Sequence, residues 1–283
     1  MGDPYLITGP ALISFSGGRT SAYMLYHILQ AHGGTLPDDV IVAFANTGKE
    51  RPETLQFVHD CQTNWGVPIR WVEWRPKPDR FTEVTFETAA RAGEPFGALM
   101  SHYGYPPTAR GRYCTAKLKI DTMKYMMLST GHKHWVNAVG LRYDEGHRVL
   151  KQLARNDSGK ERYRAVMPLS TARVTKAEVM TFWAAHPFDL GLKPHEGNCD
   201  LCFLKGRSIL LDLIRNDPST ADWWIEQERV ARARQEERRL FNPRRSYADL
   251  KAEATAPSLL DALECPEHDT ECGLWCDPDQ EAA

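Results

Sequence analysis

Two stretches of this chain carry residue types at spacings that do chemistry. In the first, Ser16-Gly17-Gly18-Arg19-Thr20-Ser21, hydroxyls and a guanidinium crowd a glycine turn, with Ser14 just before it. Glycines let a backbone turn tightly and approach a ligand closely. A helix opening here presents unpaired N–H groups and the positive end of its dipole, which together make an anion site. Ser16, Thr20 and Ser21 add hydroxyl donors, and Arg19 adds a fixed positive charge. In the second stretch, Gly197-Asn198-Cys199-Asp200-Leu201-Cys202, two thiols stand at metal-ligand spacing. A redox dithiol has the same spacing. Cys114 upstream and Cys265, Cys272 and Cys276 downstream favour a thiolate-ligated metal or cluster. Four thiolates suit Zn²⁺ and iron–sulfur alike.

The elements that must position these groups follow from the apolar pattern. Ala11 to Phe15 reads as a buried strand, and the segment after Ser16-Gly17-Gly18 as a helix that ends at Gly33-Gly34. Val40 to Ala45 is a second buried strand, 51–64 a helix with Pro52 in its first turn, and Pro68 to Trp74 a third strand. This alternation implies a parallel sheet with helices on both faces, whose ligands bind at the carboxyl ends of the strands. Asn46-Thr47-Gly48 falls at such an end, to touch an adenosine or to cap its own loop. Residues 76–113 read as a long loop or lid, and the segment Arg112 to Ile120, which holds Cys114, opens a helix to Ser129. Trp135 to Leu141 is another strand. Arg142 at its end is placed to hold a phosphate or sulfate, or to pair with Asp144 or Glu145. Residues 150–164 read as charged and mobile, Ala165 to Leu169 as a short strand, and Thr175 to Glu178 as a capping box. Residues 205–216 and 218–240 read as helices, the second with a basic end (Arg229, Arg232, Arg234, Arg238, Arg239) that is a solvated face or a nucleic-acid contact.

With 42% apolar and 25% charged residues, the composition is that of an ordinary globular protein, and a net charge of −2 gives no overall pull toward nucleic acid or membrane. The start Met1-Gly2-Asp3-Pro4 has no signal-peptide pattern, and no apolar run is long enough to span a bilayer. The expectation is a cytoplasmic protein with no membrane partner, its cysteines thiols or metal ligands.

The Ser16-Gly17-Gly18-Arg19-Thr20-Ser21 turn resembles the Ser-Gly-Gly-x-x-Ser loop of the N-type ATP pyrophosphatases and the phosphoadenosine phosphosulfate (PAPS) reductase family. That resemblance implies an α/β fold: a Rossmann-like, doubly wound, mainly parallel sheet, then a helical C-terminal region and a flexible Cys-containing tail. The expected units are 1–190 for the nucleotide, 191–256 for the Cys-x-x-Cys turn and helices, and 257–283 for the tail. An adenine nucleotide, either ATP with Mg²⁺ or an adenylyl sulfate, would lie on Ser14, Ser16, Gly17, Gly18, Arg19, Thr20, Ser21, Asn46, Thr47, Gly48 and Arg142.

Iron–sulfur members of the family hold a [4Fe–4S] cluster on a Cys-Cys pair and a later Cys-x-x-Cys. Cys199 and Cys202 match the latter, and Cys114 matches one of the former, its neighbour being Tyr113. The fourth ligand would be Cys276, Cys265 or Cys272, or one iron would stay open, and Zn²⁺ is the alternative. Sulfonucleotide reductases end in Glu-Cys-Gly-Leu-His; here the tail reads Glu271-Cys272-Gly273-Leu274-Trp275. The resemblance makes Cys272 the catalytic nucleophile, or a ligand, with Arg19 assisting at the phosphates. Three readings follow. One is sulfonucleotide reduction discharged by a thioredoxin-like reductant. Another is adenylation of a tRNA or DNA acceptor for sulfur insertion. The third is a non-catalytic, cluster-bearing nucleotide sensor. A homodimer is one assembly the chain allows.

Overall fold

The computed structural model describes residues 2–193, 195–233 and 240–256. Strand and helix alternate from the start: β1 (Ala11–Phe15), α1 (Arg19–Ala31), β2 (Val40–Asn46), α2 (Pro52–Trp65), β3 (Ile69–Trp74), β4 (Phe81–Val84) and α3 (Glu94–Tyr103). A π-helix (Cys114–Asp121) runs directly into α4 (Thr122–Ser129), followed by β5 (Trp135–Val139), α5 (Gly146–Asp157) and β6 (Tyr163–Val166). The short α6 (Pro168–Thr171), α7 (Lys176–Ala185), α8 (Arg207–Asn216), α9 (Thr220–Arg232) and α10 (Tyr247–Thr255) complete the described chain. The six strands form one sheet in the order β4-β3-β2-β1-β5-β6, parallel except for β4. This is the doubly wound α/β sheet expected. The strand order reverses at β1, so the crevice between the ends of β1 and β5 is the switch point where ligands bind in such sheets.

Period-two burial explains the central strands. Ala11, Ile13 and Phe15 of β1 enter a core with Leu25, Ile28, Val58, Val179 and Trp183. Leu12 enters the opposite core with Met123, Met126 and Met127. Strands covered on both faces read as unbroken apolar runs, and that is why the sequence places them well.

The structure corrects three expectations. Residues 76–113 are no long loop: β4 pairs antiparallel with β3, and α3 follows. β4 is a half-exposed edge strand held partly by an Arg70–Glu83 ion pair, so it lacks an apolar signature. Residues 150–164 are largely α5, whose Asn156 side chain donates to Ala165 O at 2.8 Å and accepts from Ala165 N at 2.9 Å. The following strand runs Tyr163–Val166 instead of ending at Leu169, because Pro168 starts α6. Within the helical region expected to residue 256, Ser246 and Asp249 form the capping box that starts α10. The Thr175–Glu178 box stands as read.

A third core joins α8, α9 and α10 to Phe96, Leu99 and Met100 of α3 and Leu118 of the π-helix. At its centre Trp224 stacks on Tyr247, with ring centroids 5.1 Å apart. Glu228 is buried beside them and accepts from Phe241 N at 3.3 Å and Tyr247 N at 2.9 Å. Burial raises its carboxyl from 4.5 to about 7, although those two amides pull the other way. The folded state therefore binds a proton that the unfolded state releases near pH 4.5. Its stabilisation is complete below that pH and is lost as pH rises to about 7, by about 3 kcal/mol. Urea unfolding at pH 5 and pH 8 should show this loss in the wild type and a flatter profile in Glu228→Gln; equal slopes would refute it.

Candidate functional site

The glycine turn lies between β1 and α1, with Gly18 as the N-cap residue of α1. Gly17 has φ +77°, and a Cβ there would come within 2.8 Å of Thr54 Cγ2 and 3.0 Å of the Phe44 ring. Only glycine satisfies both the conformation and the space. Ser21 Oγ ties the turn together: it donates to Gly18 O at 2.9 Å, receives Ser16 N at 3.2 Å and lies 2.8 Å from Ser16 Oγ.

Arg142 reaches this turn from the end of β5. It is 5% exposed, and its Nη1 donates to Thr20 Oγ1 at 2.9 Å while its Nε donates to Asp144 Oδ1 at 2.9 Å. The close approach requires Gly140, where a Cβ would stand 3.2 Å from Ser21 Cα. Burial works against the Asp144 charge, but the Lys176 amide and Arg142 outweigh it and hold that carboxyl below its ordinary range. Arg142 therefore pairs with Asp144, one of the two sequence options, and stands at the switch point.

Other residues read as nucleotide contacts have neighbours of their own. Arg19 donates to both carboxylate oxygens of Asp189, at 2.6 and 2.5 Å, and to Leu192 O at 2.9 Å. These bonds take three of its five N–H donors. Ser14 is buried within β1, and its Oγ donates to Asn137 Oδ1 at 2.7 Å. Asn46 is fully buried; its amide donates to Glu73 Oε1 at 2.7 Å and Ala90 O at 2.8 Å, and its carbonyl accepts from Gly48 N at 3.1 Å. Asn46 thus clamps the chain after β4 onto the end of β2. Thr47 donates N–H and O–H to Glu50 Oε2, both at 2.8 Å.

The Cys-x-x-Cys turn is bonded straight onto these two strand-end loops. Asn198 Nδ2 donates to Ser16 O at 2.8 Å, and Arg51 N donates to Asn198 O at 2.8 Å. Asp200 N donates to Lys49 O at 3.0 Å, and Glu50 and Cys199 form an antiparallel bridge. Lys49 Nζ pairs with Asp200 Oδ2 at 2.6 Å and lies 4.9 Å from the Trp223 ring centroid. Buried Lys205 donates to Cys199 O and to Asp200 O beneath the turn. Burial lowers its ammonium pKa, against the opposing pull of the Cys202 and Cys199 thiols. The sequence pattern does not point to Asn198, Lys49, Asp200 or Lys205 as site residues. Their only sequence signal is closeness to Gly48 or to the cysteines.

Cys114 opens the π-helix and packs against the third core, which also holds Leu201 and Phe203 of the thiol turn. Burial, and then Cys114 beside it, raise the Tyr113 phenol pKa. Among the described residues, no three His, Cys, Asp or Glu converge closely enough to hold a metal ion. Cys265, Cys272 and Cys276 lie outside the described residues, as do Arg234, Arg238 and Arg239. Cys61 is a core residue of α2, with its thiol pKa pushed up by burial. No helix among the described residues is long and apolar enough to cross a membrane.

Comparison with known proteins adds the following. The sequence model of the phosphoadenosine phosphosulfate reductase domain matches residues 10–190. The chain is 31% identical over 203 residues to the uncharacterized nin region protein ORF290 of Escherichia phage lambda, covering 69% of this chain and 66% of that protein. It is 29% identical over 148 residues to an uncharacterized protein of Methanocaldococcus jannaschii, covering 52% of this chain and 26% of that one. The chain thus spans less than two thirds of either relative. Among solved structures, the U34-tRNA thiolase NcsA of Methanococcus maripaludis, with its [4Fe-4S] cluster, aligns at a TM-score of 0.35 and 13% identity over 90% of this chain and 77% of that one. A likeness that slight carries no functional weight.

Proposed function

The chain belongs to the phosphoadenosine phosphosulfate reductase domain family, and from that premise we propose that it is an adenine-nucleotide-dependent enzyme of sulfur transfer. The observation that carries this reading is the direct bonding of the Cys199–Cys202 turn to the phosphate-type loop through Asn198 and Ser16. Nucleotide phosphates lie on the first-turn amides of α1, with the Ser16, Thr20 and Ser21 hydroxyls and Arg142 as further donors. A thiol chemistry centre then stands beside the phosphoryl or sulfuryl group it acts on.

Two substrates fit this arrangement. With an adenylyl sulfate, a thiolate attacks the sulfate sulfur, the S–O bond to the nucleotide breaks, and an S-sulfocysteine remains. A dithiol reductant then releases sulfite and forms a disulfide. In that case Cys272 is the nucleophile. With ATP and Mg²⁺, an acceptor oxygen attacks the α-phosphorus, pyrophosphate leaves and AMP activates the acceptor. The Ser16-Gly17-Gly18-Arg19-Thr20-Ser21 turn favours the second substrate and the Glu271-Cys272-Gly273-Leu274 tail the first.

A [4Fe–4S] cluster or Zn²⁺ is the resident group this family reading brings with it. The two thiols of Cys199 and Cys202 suit one edge of such a site, but the described residues do not complete it. Its test is iron content: Cys199→Ser, purified anaerobically, should fall from near-stoichiometric iron to background. Iron equal to wild type would remove Cys199 from the ligands.

The deciding experiment incubates anaerobic protein with ATP plus Mg²⁺, and separately with PAPS or its unphosphorylated analogue plus thioredoxin. Sulfite without ATP turnover supports the reductase. AMP and pyrophosphate from ATP support the adenylating enzyme. Nucleotide binding with neither product leaves a sensor, and no binding at all overturns the proposal.

A further inference from the structure

The elements that carry Cys114 and Cys199 meet at one buried residue, Glu50. Its backbone bridges Cys199. Its Oε2 accepts from the N–H and O–H of Thr47, both at 2.8 Å. Its Oε1 lies 3.3 Å from Lys119 Nζ, with the two side chains 0% and 8% exposed. Lys119 is five residues after Cys114 in the π-helix. Hydrogen bonds in a π-helix run from i to i+5, so those two residues stand one turn apart on the same side. Glu50 therefore touches, through three different groups, the thiol turn, the loop after β2 and the Cys114 helix.

A buried ion pair adds little net stability compared with an apolar pair of equal size. What it does add is register, because only one arrangement pairs both charges. We propose that Glu50 is the positioning residue that sets the Cys114 helix against the Cys199 turn and ties both to Thr47. The proposal extends the nucleotide-and-thiol reading to the means by which the thiols are held, and it rests on that reading only for its link to nucleotide.

The test uses the full chain and pulsed alkylation with iodoacetamide, read at each cysteine by peptide mass spectrometry. Glu50→Gln or Lys119→Met alone breaks the buried ion pair from one side and risks unfolding. The double variant Glu50→Gln/Lys119→Met removes both of its charges. Cys61, 0% exposed within α2, reports on the fold. In the double variant Cys114 should react about tenfold faster while Cys61 is unchanged, the sign of one element opening locally. Cys114 rates within twofold of wild type would overturn the proposal, and so would a matching rise at Cys61, which marks general loosening. Saturating ATP plus Mg²⁺ or adenylyl sulfate should slow Cys114 alkylation in the wild type and lose that effect in the double variant. If nucleotide changes no rate in the wild type but the double variant still frees Cys114, the link to nucleotide fails and the positioning role stands.

Discussion

Replacing Gly17 with alanine should abolish nucleotide binding and lower stability by about 2–5 kcal/mol. Two costs add. An L-residue at φ +77° is strained. The new methyl also meets Thr54 Cγ2 at 2.8 Å and the Phe44 ring at 3.0 Å. Both neighbours are buried, Thr54 at 0% and Phe44 at 1% exposure, and have little room to yield. The turn must shift outward, and that displaces the amides and hydroxyls proposed to hold phosphate. Gly33→Ala is the control: its φ is +68°, but nothing lies within 4 Å of the added Cβ. It should cost only about 1 kcal/mol and leave nucleotide affinity intact. Urea unfolding together with equilibrium dialysis of labelled nucleotide reads both effects. A folded Gly17→Ala protein that binds within threefold of wild type would remove the loop from the binding site.

Arg142→Met should weaken nucleotide binding by about a hundredfold, or about 3 kcal/mol. Arg142 is buried at the switch point with one nitrogen on Thr20, so its charge acts at low local dielectric beside the turn. Methionine retains much of the volume and removes the charge. Arg19→Met should cost less than tenfold, because a two-oxygen pairing with Asp189, at 2.6 and 2.5 Å, already offsets the Arg19 charge. The ratio of the two losses, measured by calorimetric titration with ATP and with an adenylyl sulfate, separates the roles. A larger loss for Arg19→Met would mean that the Asp189 pairing opens in the nucleotide complex and would restore Arg19 as the main phosphate ligand.

The fold class and the position of the glycine turn between β1 and α1 were legible in the sequence. Central strands buried on both faces leave continuous apolar runs, glycine turns and helix caps are local, and a Cys-x-x-Cys marks itself by spacing. Tertiary structure alone decided how these parts meet. β4 is a strand only because β3 supplies its partner. The π-helix from Cys114 carries too little apolar periodicity to announce its geometry. Asn198 reaches back to Ser16, Asp189 draws Arg19 aside, and Glu50 finds Lys119, in each case across dozens of residues of intervening chain. Local sequence reports backbone preference and burial over a turn or a strand. A hydrogen bond or ion pair between distant segments depends on where the sheet brings its strand ends, and that is settled when the cores on its two faces close.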